Sequence, residues 1–403
     1  MPSLRILRSP RPAAGRLAGA LALALGVLLA AAPARAETRD IDRSFDAATV
    51  RGLELENLAG SLTLTAASGA SLRVRATVHA EASGGETAAA LTDSLRVEFQ
   101  TQGDKLVVKA LYPVGDHRRY HYPGDGRTGH EEQGWLASWL SGSNSTVRYQ
   151  GKDVTVTSGS GGSAVSLWAD FTLEVPAGVS VQAKNSVGHI ASTGIAADQL
   201  LDTASGDVAV QGSRGALKAD TGSGDVTIAD HEGDVVADTG SGDVHLTRVS
   251  GGRLAADTGS GDVVFDQVRG RELVADTGSG DVHLLDCEGA LDADTGSGEI
   301  RGRGLKLGDK LRADTGSGDV LLAGDFSKVT DLYIDTGSGG VVLDVAGAPS
   351  VHLVVSTGSG DVTVDVPGAR IRSTKGDFVA DLGDGKGKGI IQTGSGDVKI
   401  SGR

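Results

Sequence analysis

The chain has 403 residues, of which 61 are glycine, only 3% are aromatic and one, Cys287, is cysteine. A single cysteine excludes an internal disulfide, and so few rings point to a slim core. The formal charge of −14 disfavours nucleic acid and anionic lipid as partners.

Residues 1–36 read as a secretory signal. Arg5, Arg8, Arg11 and Arg16 form a basic start, residues 17–29 are apolar, and Ala34-Arg35-Ala36 is a small-x-small cleavage site before Glu37. An uncleaved anchor is the alternative. Removing the five arginines of this segment takes the charge to −19. No later apolar run is long enough for a membrane-spanning helix. The expected location is therefore exported: periplasmic, cell-surface or extracellular.

Residues 37–111 are strand-rich without strict repeats. Alternation predicts strands at 50–55, 61–65, 72–79, 95–99 and 105–111, and a short helix within 86–94. The region reads as a β cap and the start of a repeat array, with Asn57-Leu58-Ala59-Gly60-Ser61-Leu62 as a worn copy of the corner described below.

Residues 112–170 are an insert and a return strand. Residues 112–150 hold Tyr112, Tyr120, Tyr122, Tyr149, Trp135 and Trp139, with His117, His121 and His130, and show no period. Two readings stand. The rings pack as a flap on the side or end of the array, or Tyr120, Tyr122, Trp135 and Trp139 meet a ligand, namely a surface glycan or an envelope protein. The histidines with Glu131 and Glu132 are candidate transition-metal ligands, weakened by irregular spacing.

Residues 171–403 carry the dominant feature. The phrase Asp-Thr-Gly-Ser-Gly begins at Asp220, Asp238, Asp257, Asp276, Asp294, Asp314 and Asp335, in steps of 18–21 residues. A near copy starts at Asp202 and a worn one at Asn185; further copies fall at Ser356, Ser373 and Gln392. That predicts twelve coils from about residue 179. A period in this range means a solenoid. Alternation around each phrase, as in Leu273-Val274-Ala275-Asp276-Thr277 and Asp281-Val282-His283-Leu284, predicts strands with one buried face. The glycines predict tight turns whose backbone angles exclude side chains. A second corner is expected near Gly233, Gly252 and Gly289. The number of faces per coil stays open. The fold class is all-β: a single-chain parallel β-solenoid (β-helix), right-handed by the general crossover rule, with an irregular N-terminal cap.

The alternation aligns the threonines with buried Ala and Leu, predicting internal hydrogen-bonded ladders rather than an outward ice-binding array. It sends both aspartates of each phrase outward. Like charges stacked at ~4.8 Å repel by about 1 kcal/mol per pair in water. Either turn amides satisfy the carboxylates, or Asp220, Asp225, Asp238, Asp243, Asp257, Asp262, Asp276 and Asp281 hold a row of Ca²⁺ ions. The phrase resembles the Gly-Gly-x-Gly-x-Asp calcium repeat, but comes once per coil instead of about every nine residues.

Asp-Thr-Gly is also the active-site phrase of aspartic proteases, which need two carboxylates face to face. Seven stacked copies point the same way, so that reading is set aside. A phosphate loop needs Gly-Lys-Ser/Thr opening a helix, which is absent after these glycines. Cys287 lies in a variable corner with no activating neighbour and reads as a tolerated thiol.

The Leu173-Glu174-Val175-Pro176-Ala177-Gly178 lead-in, followed by these coils behind a signal peptide, resembles the bacterial putative adhesins, a domain-of-unknown-function family with β-strand repeats. The resemblance covers about residues 45–403 and implies a surface or envelope location without identifying a site. The reading is a non-catalytic, exported binding or structural protein with no catalytic residues and no cofactor other than the Ca²⁺ alternative. A β-helix enzyme acting on polysaccharide is the rival, though no long mid-array insertion walls a groove.

Overall fold

The computed structural model describes residues 36–124, 144–158, 163–347, 349–373 and 378–402. Residues 1–35 of the segment expected to be a signal, with Trp135, Trp139, His130, Glu131, Glu132 and Asp377, lie outside the described residues.

Each central coil has three sides. The first is a strand such as Leu217–Thr221 or Val235–Thr239, stacked parallel and residue for residue, so that Asp220 pairs with Asp238 and Thr221 with Thr239. The second is a four-residue strand such as Val226–Ala229, Val244–Thr247 or Val263–Asp266. The third is short. It begins as single bridges linking Ala196, Arg214, Glu232 and Ser250, and widens where Ser250 meets Arg269.

Three corners join these sides. The Gly-Ser-Gly turn is the first. The second turns on one left-handed residue per coil: Asp230 (φ 55°), Arg248 (φ 54°), Gln267 (φ 57°) and Asp286 (φ 52°). The third passes through Gly215 and Gly233, near the second corner expected from the sequence.

Strict burial alternation explains why these residues form strands. On the first side Leu217, Ala219 and Thr221 are buried while Asp220 is half-buried, and the pattern repeats one coil on. Alanine at the centre (Ala237, Ala256, Ala275, Ala293) keeps the tube narrow. The third side fills the remaining space with Ile195, Ser213, His231, Val249, Val268, Cys287 and Leu305, all buried. Cys287 is therefore a core residue standing in a valine's place, and burial pushes its thiol up to about 11, away from reactivity.

At both ends the stacking order departs from chain order. The strand Gly52–Ala59 lies between Lys105–Leu111 and Ser180–Val187, so the first coil is not the outermost. At the other end Gly387–Thr393 lies between Asp331–Thr336 and Val351–Thr357, and Val398–Gly402 between Val341–Ala346 and Val362–Asp365. The last coil in sequence is thus second to last in space.

This corrects the expectation of twelve coils. From residue 180 onward the first side has eleven parallel rungs among the described residues. The copy at Ser373 adds no parallel rung among the described residues. Instead Arg370–Ser373 and Phe378–Leu382 pair antiparallel, and the latter runs antiparallel along Val351–Thr357.

The cap matches the expected strands: Gly52–Ala59, Leu62–Ala66, Ser71–Glu81, Arg96–Gln102 and Lys105–Leu111. The helix Ala88–Ser94 is capped by Thr87, whose Oγ1 accepts from the Ala90 amide at 3.2 Å. An unanticipated strand, Ala36–Asp46, lies antiparallel on Ser71–Glu81. Among the described residues no helix is long and apolar enough to cross a membrane.

Candidate functional site

The repeated polar residues were the first candidates, and their geometry shows what each does. Thr258 is buried; its Oγ1 donates to the Gly242 carbonyl one coil back at 2.7 Å and accepts from the Gly261 amide at 3.2 Å. Thr239, Thr277, Thr295, Thr315, Thr336 and Thr393 repeat both bonds. The expected internal threonine ladder is present. In the worn coils Asn57 and Asn185 hold the same place, joined at 3.1 Å.

The two aspartate ladders differ. In the second, each carboxylate accepts from the amide of its counterpart one coil on: Asp225 from Asp243 at 3.0 Å, Asp243 from Asp262 at 2.9 Å, Asp262 from Asp281 at 2.8 Å and Asp281 from Glu299 at 2.8 Å. His189 takes the acid's place in an early coil, its Nδ1 accepting from the Asp207 amide at 3.0 Å. The amide thus belongs to the neighbouring coil, not to the residue's own turn. The first ladder has no such bonds. Burial, then the neighbouring aspartates, raise the carboxyls of Asp202, Asp238, Asp276 and Asp294 above the usual range. Among the described residues cations sit toward its ends: Lys184 lies 4.0 Å from Asp202, Lys218 3.5 Å from Asp220, and Arg312 3.8 Å from Asp294 and 3.3 Å from Asp314.

The eight aspartates read as calcium ligands, Asp220, Asp225, Asp238, Asp243, Asp257, Asp262, Asp276 and Asp281, therefore run in two single files. Among the described residues no three His, Cys, Asp or Glu side chains gather closely enough to share a metal ion. His117 pairs instead with Glu86 at 3.0 Å, and His121 Nδ1 lies 3.2 Å from Ser166 Oγ.

Of the two readings of the insert, packed rings or a ligand surface, the described tyrosines follow the first. Tyr120 and Tyr122 are buried, not presented to a ligand. Tyr112 packs edge-on against Tyr120 (5.4 Å) and Tyr149 (5.9 Å), and its hydroxyl donates to the Ala59 carbonyl at 2.8 Å. Burial raises all three phenols, keeping them neutral. These rings close the N-terminal end of the tube, where a cluster of large side chains has room that the narrow coils lack.

Sequence reasoning missed a groove of about 450 Å³ along the start of the first side, lined by residues from seven stacked strands. Leu53, Val181, Gln199, Leu217 and Val235 form its floor, Leu200 and Val236 its walls, and Lys105, Lys218 and Arg253 its rim, with Asp198 and Asp234 among them. Val236 is 43% exposed. Asp234 is fixed there by accepting from the Gly252 and Arg253 amides at 2.7 and 3.1 Å. The available signal was the apolar residue at an outward-facing position, Leu200 and Val236, where Lys218 stands in the coil between.

Stacked three-sided coils with inward threonines define a parallel β-solenoid. Its central part, residues 214–366, matches the family model described as Toastrack DUF4097, a domain of unknown function, and this agrees with the resemblance seen in the coil phrase. A crystal structure described as a putative cell adhesion protein from Clostridium sporogenes ATCC 15579 aligns over 91% of this chain and 100% of that chain, at 8% identity and a TM-score of 0.17. No curated protein matches the chain.

Proposed function

We propose that this chain is a non-catalytic, exported β-solenoid that serves as an adhesin or a cell-envelope binding and structural protein, with a surface glycan or an envelope protein as its ligand. The groove from Lys105 to Arg253 carries this reading. The threonines and second-ladder aspartates are engaged in stacking the coils, which leaves them as scaffold. The groove has a floor that is apolar except at Gln199, carries Lys105, Lys218 and Arg253 beside Asp198 and Asp234 around it, and is long enough for an extended chain.

Binding to arrays of envelope glycans and to purified envelope proteins tests it. Leu200→Glu and Val236→Glu should each abolish the signal while leaving the melting temperature unchanged, because both side chains face outward. Binding that survives both substitutions would remove the groove from the account. Release of new reducing or unsaturated ends from polysaccharides would replace the non-catalytic reading with the enzymatic one.

A further inference from the structure

His231 is the one buried side chain among the described residues that titrates near neutral pH. It stands in the inward file of the third side, between Ser213 one coil back and Val249 one coil on, both buried. Its Nδ1 lies 2.8 Å from the Ser213 hydroxyl, and its Nε2 has no hydrogen-bond partner among the described residues. The inward residues of the other two sides in its coil, Val226, Ile228, Val235, Ala237 and Thr239, carry no charge. The charged groups around it are exposed: Asp230, Glu232 and Asp234 on its own segment, Arg214 one coil back, and Arg248 one coil on, held by Asp230 at 2.6 Å. A proton on this ring therefore puts a charge and an unpaired N–H inside an apolar tube. Burial lowers its pKa, outweighing the opposite pulls of the Gly215 backbone and Glu232.

The third side is the weakest wall of the tube at this point. The first side stacks five residue pairs between Leu217–Thr221 and Val235–Thr239, and the second stacks four between Val226–Ala229 and Val244–Thr247. The third is joined by the single bridges Arg214 to Glu232 and Glu232 to Ser250. Local opening takes place where the fewest backbone bonds must break. The same wall carries one edge of the groove. Asp198, Ala216 and Asp234 stand where it turns into the first side, and all three line the groove. The Asp198 carboxylate accepts from the Ala216 amide at 2.8 Å, and that of Asp234 from the Gly252 amide at 2.7 Å. Movement of the third side therefore moves the groove's edge.

We propose that the third side between Ser213 and Ser250 is an acid-operated latch: a proton on His231 opens it locally and carries the edge of the groove with it, while the first and second sides stay stacked. Above about pH 6.5 the ring is neutral whether the latch is closed or open, and nothing drives it. Below that value the open form takes up a proton that the closed form resists, so opening grows as pH falls. Acid release of a ligand rests on the groove being the binding site; the opening itself does not.

Amide hydrogen exchange at neutral pH and at about pH 5, corrected for the intrinsic pH dependence of exchange, tests the latch without any ligand. Exchange over residues 212–216 and 230–234, and at the groove-edge amides of Gly252 and Arg253, should accelerate by up to about tenfold per pH unit below 6.5. Residues 218–221 and 236–239 of the first side should stay protected. Ser213→Ala/His231→Val should remove the acceleration. Unchanged exchange at pH 5 overturns the proposal. So does acceleration spread evenly over all three sides, which is global unfolding, or acceleration that survives in the double variant. Acceleration of the third side with Gly252 and Arg253 still protected overturns the coupling to the groove. If the double variant fails to fold, His231→Gln, which keeps a hydrogen-bonding side chain that takes up no proton, decides the same point. A failed latch leaves the binding test with Leu200→Glu and Val236→Glu untouched, and the reverse also holds.

Discussion

The hydroxyl of Thr258 donates to the carbonyl of Gly242, 2.7 Å away in the preceding coil, while receiving the amide of Gly261 from its own turn. One buried side chain thus ties a turn to itself and to the turn beneath it. Thr258→Val keeps the shape and removes both bonds. Leaving buried polar groups unpaired costs about 1–3 kcal/mol each, so the loss should reach about 2–4 kcal/mol. Thr258→Ser keeps the hydroxyl and should cost about 1 kcal/mol for the missing methyl. Urea unfolding of the two variants measures the difference.

Glycine is required at this corner by close approach. A Cβ on Gly261 would lie 2.0 Å from the Gly242 oxygen, and a Cβ on Gly280 would lie 2.0 Å from the Gly261 oxygen. Gly261→Ala must push two coils apart and should lower the melting temperature more than any threonine substitution. Gly69→Ala is the control. It lies in the cap with nothing within 4 Å of the added carbon and should fold like the wild type.

These two positions show what the sequence made legible. Thr258 and Ala256 announce themselves by alternation, because a strand with one buried face has a period of two. The backbone distance between Gly242 and Gly261 is a property of stacking, so the sequence pointed to backbone angle instead. The third side was illegible because its inward file, Ser213, His231, Val249 and Cys287, mixes polar and apolar residues and begins as single bridges. The displaced final coil was illegible for another reason. The phrase at Gln392 is the same whether its rung stacks next to Thr336 or beyond Thr357, and only the structure shows that it contacts both. In Ala36–Asp46 the apolar Ile41 and Phe45 are four residues apart with Arg43 between them, which hides the alternation. The groove is formed by residues from seven stacked strands, and no single repeat contains it.

His231 introduces a pH dependence. It is 1% exposed, with Nδ1 2.8 Å from the Ser213 hydroxyl, and burial lowers its pKa below 6.5. Above about pH 6.5 the ring is neutral both folded and unfolded and contributes no slope. Below that value the unfolded chain takes up a proton that the folded chain resists, so stability falls by up to about 1.4 kcal/mol per pH unit until the folded value is reached. The double variant Ser213→Ala/His231→Val places the valine seen at Val249 in the same file. Its stability relative to wild type should be flat above pH 6.5 and should improve steadily toward pH 5, as read by urea midpoints.

Asp276 separates the two acidic ladders. Burial and then Asp257 and Asp294 raise its carboxyl, so its repulsion is absent below the unfolded value of 3.8 and grows as pH rises through the folded one. Asp276→Asn should therefore stabilise the neutral protein by about 1 kcal/mol after solvent screening, and the gain should shrink as salt is added. Asp262→Ala should do the opposite. Its carboxylate holds the Asp281 amide at 2.8 Å, and losing that bond should cost about 1–2 kcal/mol at any ionic strength. Melts at low and high salt distinguish the two positions.

The cation question has a direct readout in the melting temperature of residues 37–403 with EDTA, with Mg²⁺ and with Ca²⁺. Calcium takes six to eight oxygens around one centre. The first ladder supplies one carboxylate per coil in single file, and the second already spends an oxygen of Asp225, Asp243, Asp262 and Asp281 on amides. Both divalent ions should therefore raise the melting temperature slightly and equally by screening the first ladder, and Asp276→Asn should reduce that rise. A rise with Ca²⁺ alone that follows its concentration by mass action would instead mean that adjacent coils share an ion. The loss of that rise in Asp276→Asn or in Asp262→Asn would then assign the ion to the first or the second ladder.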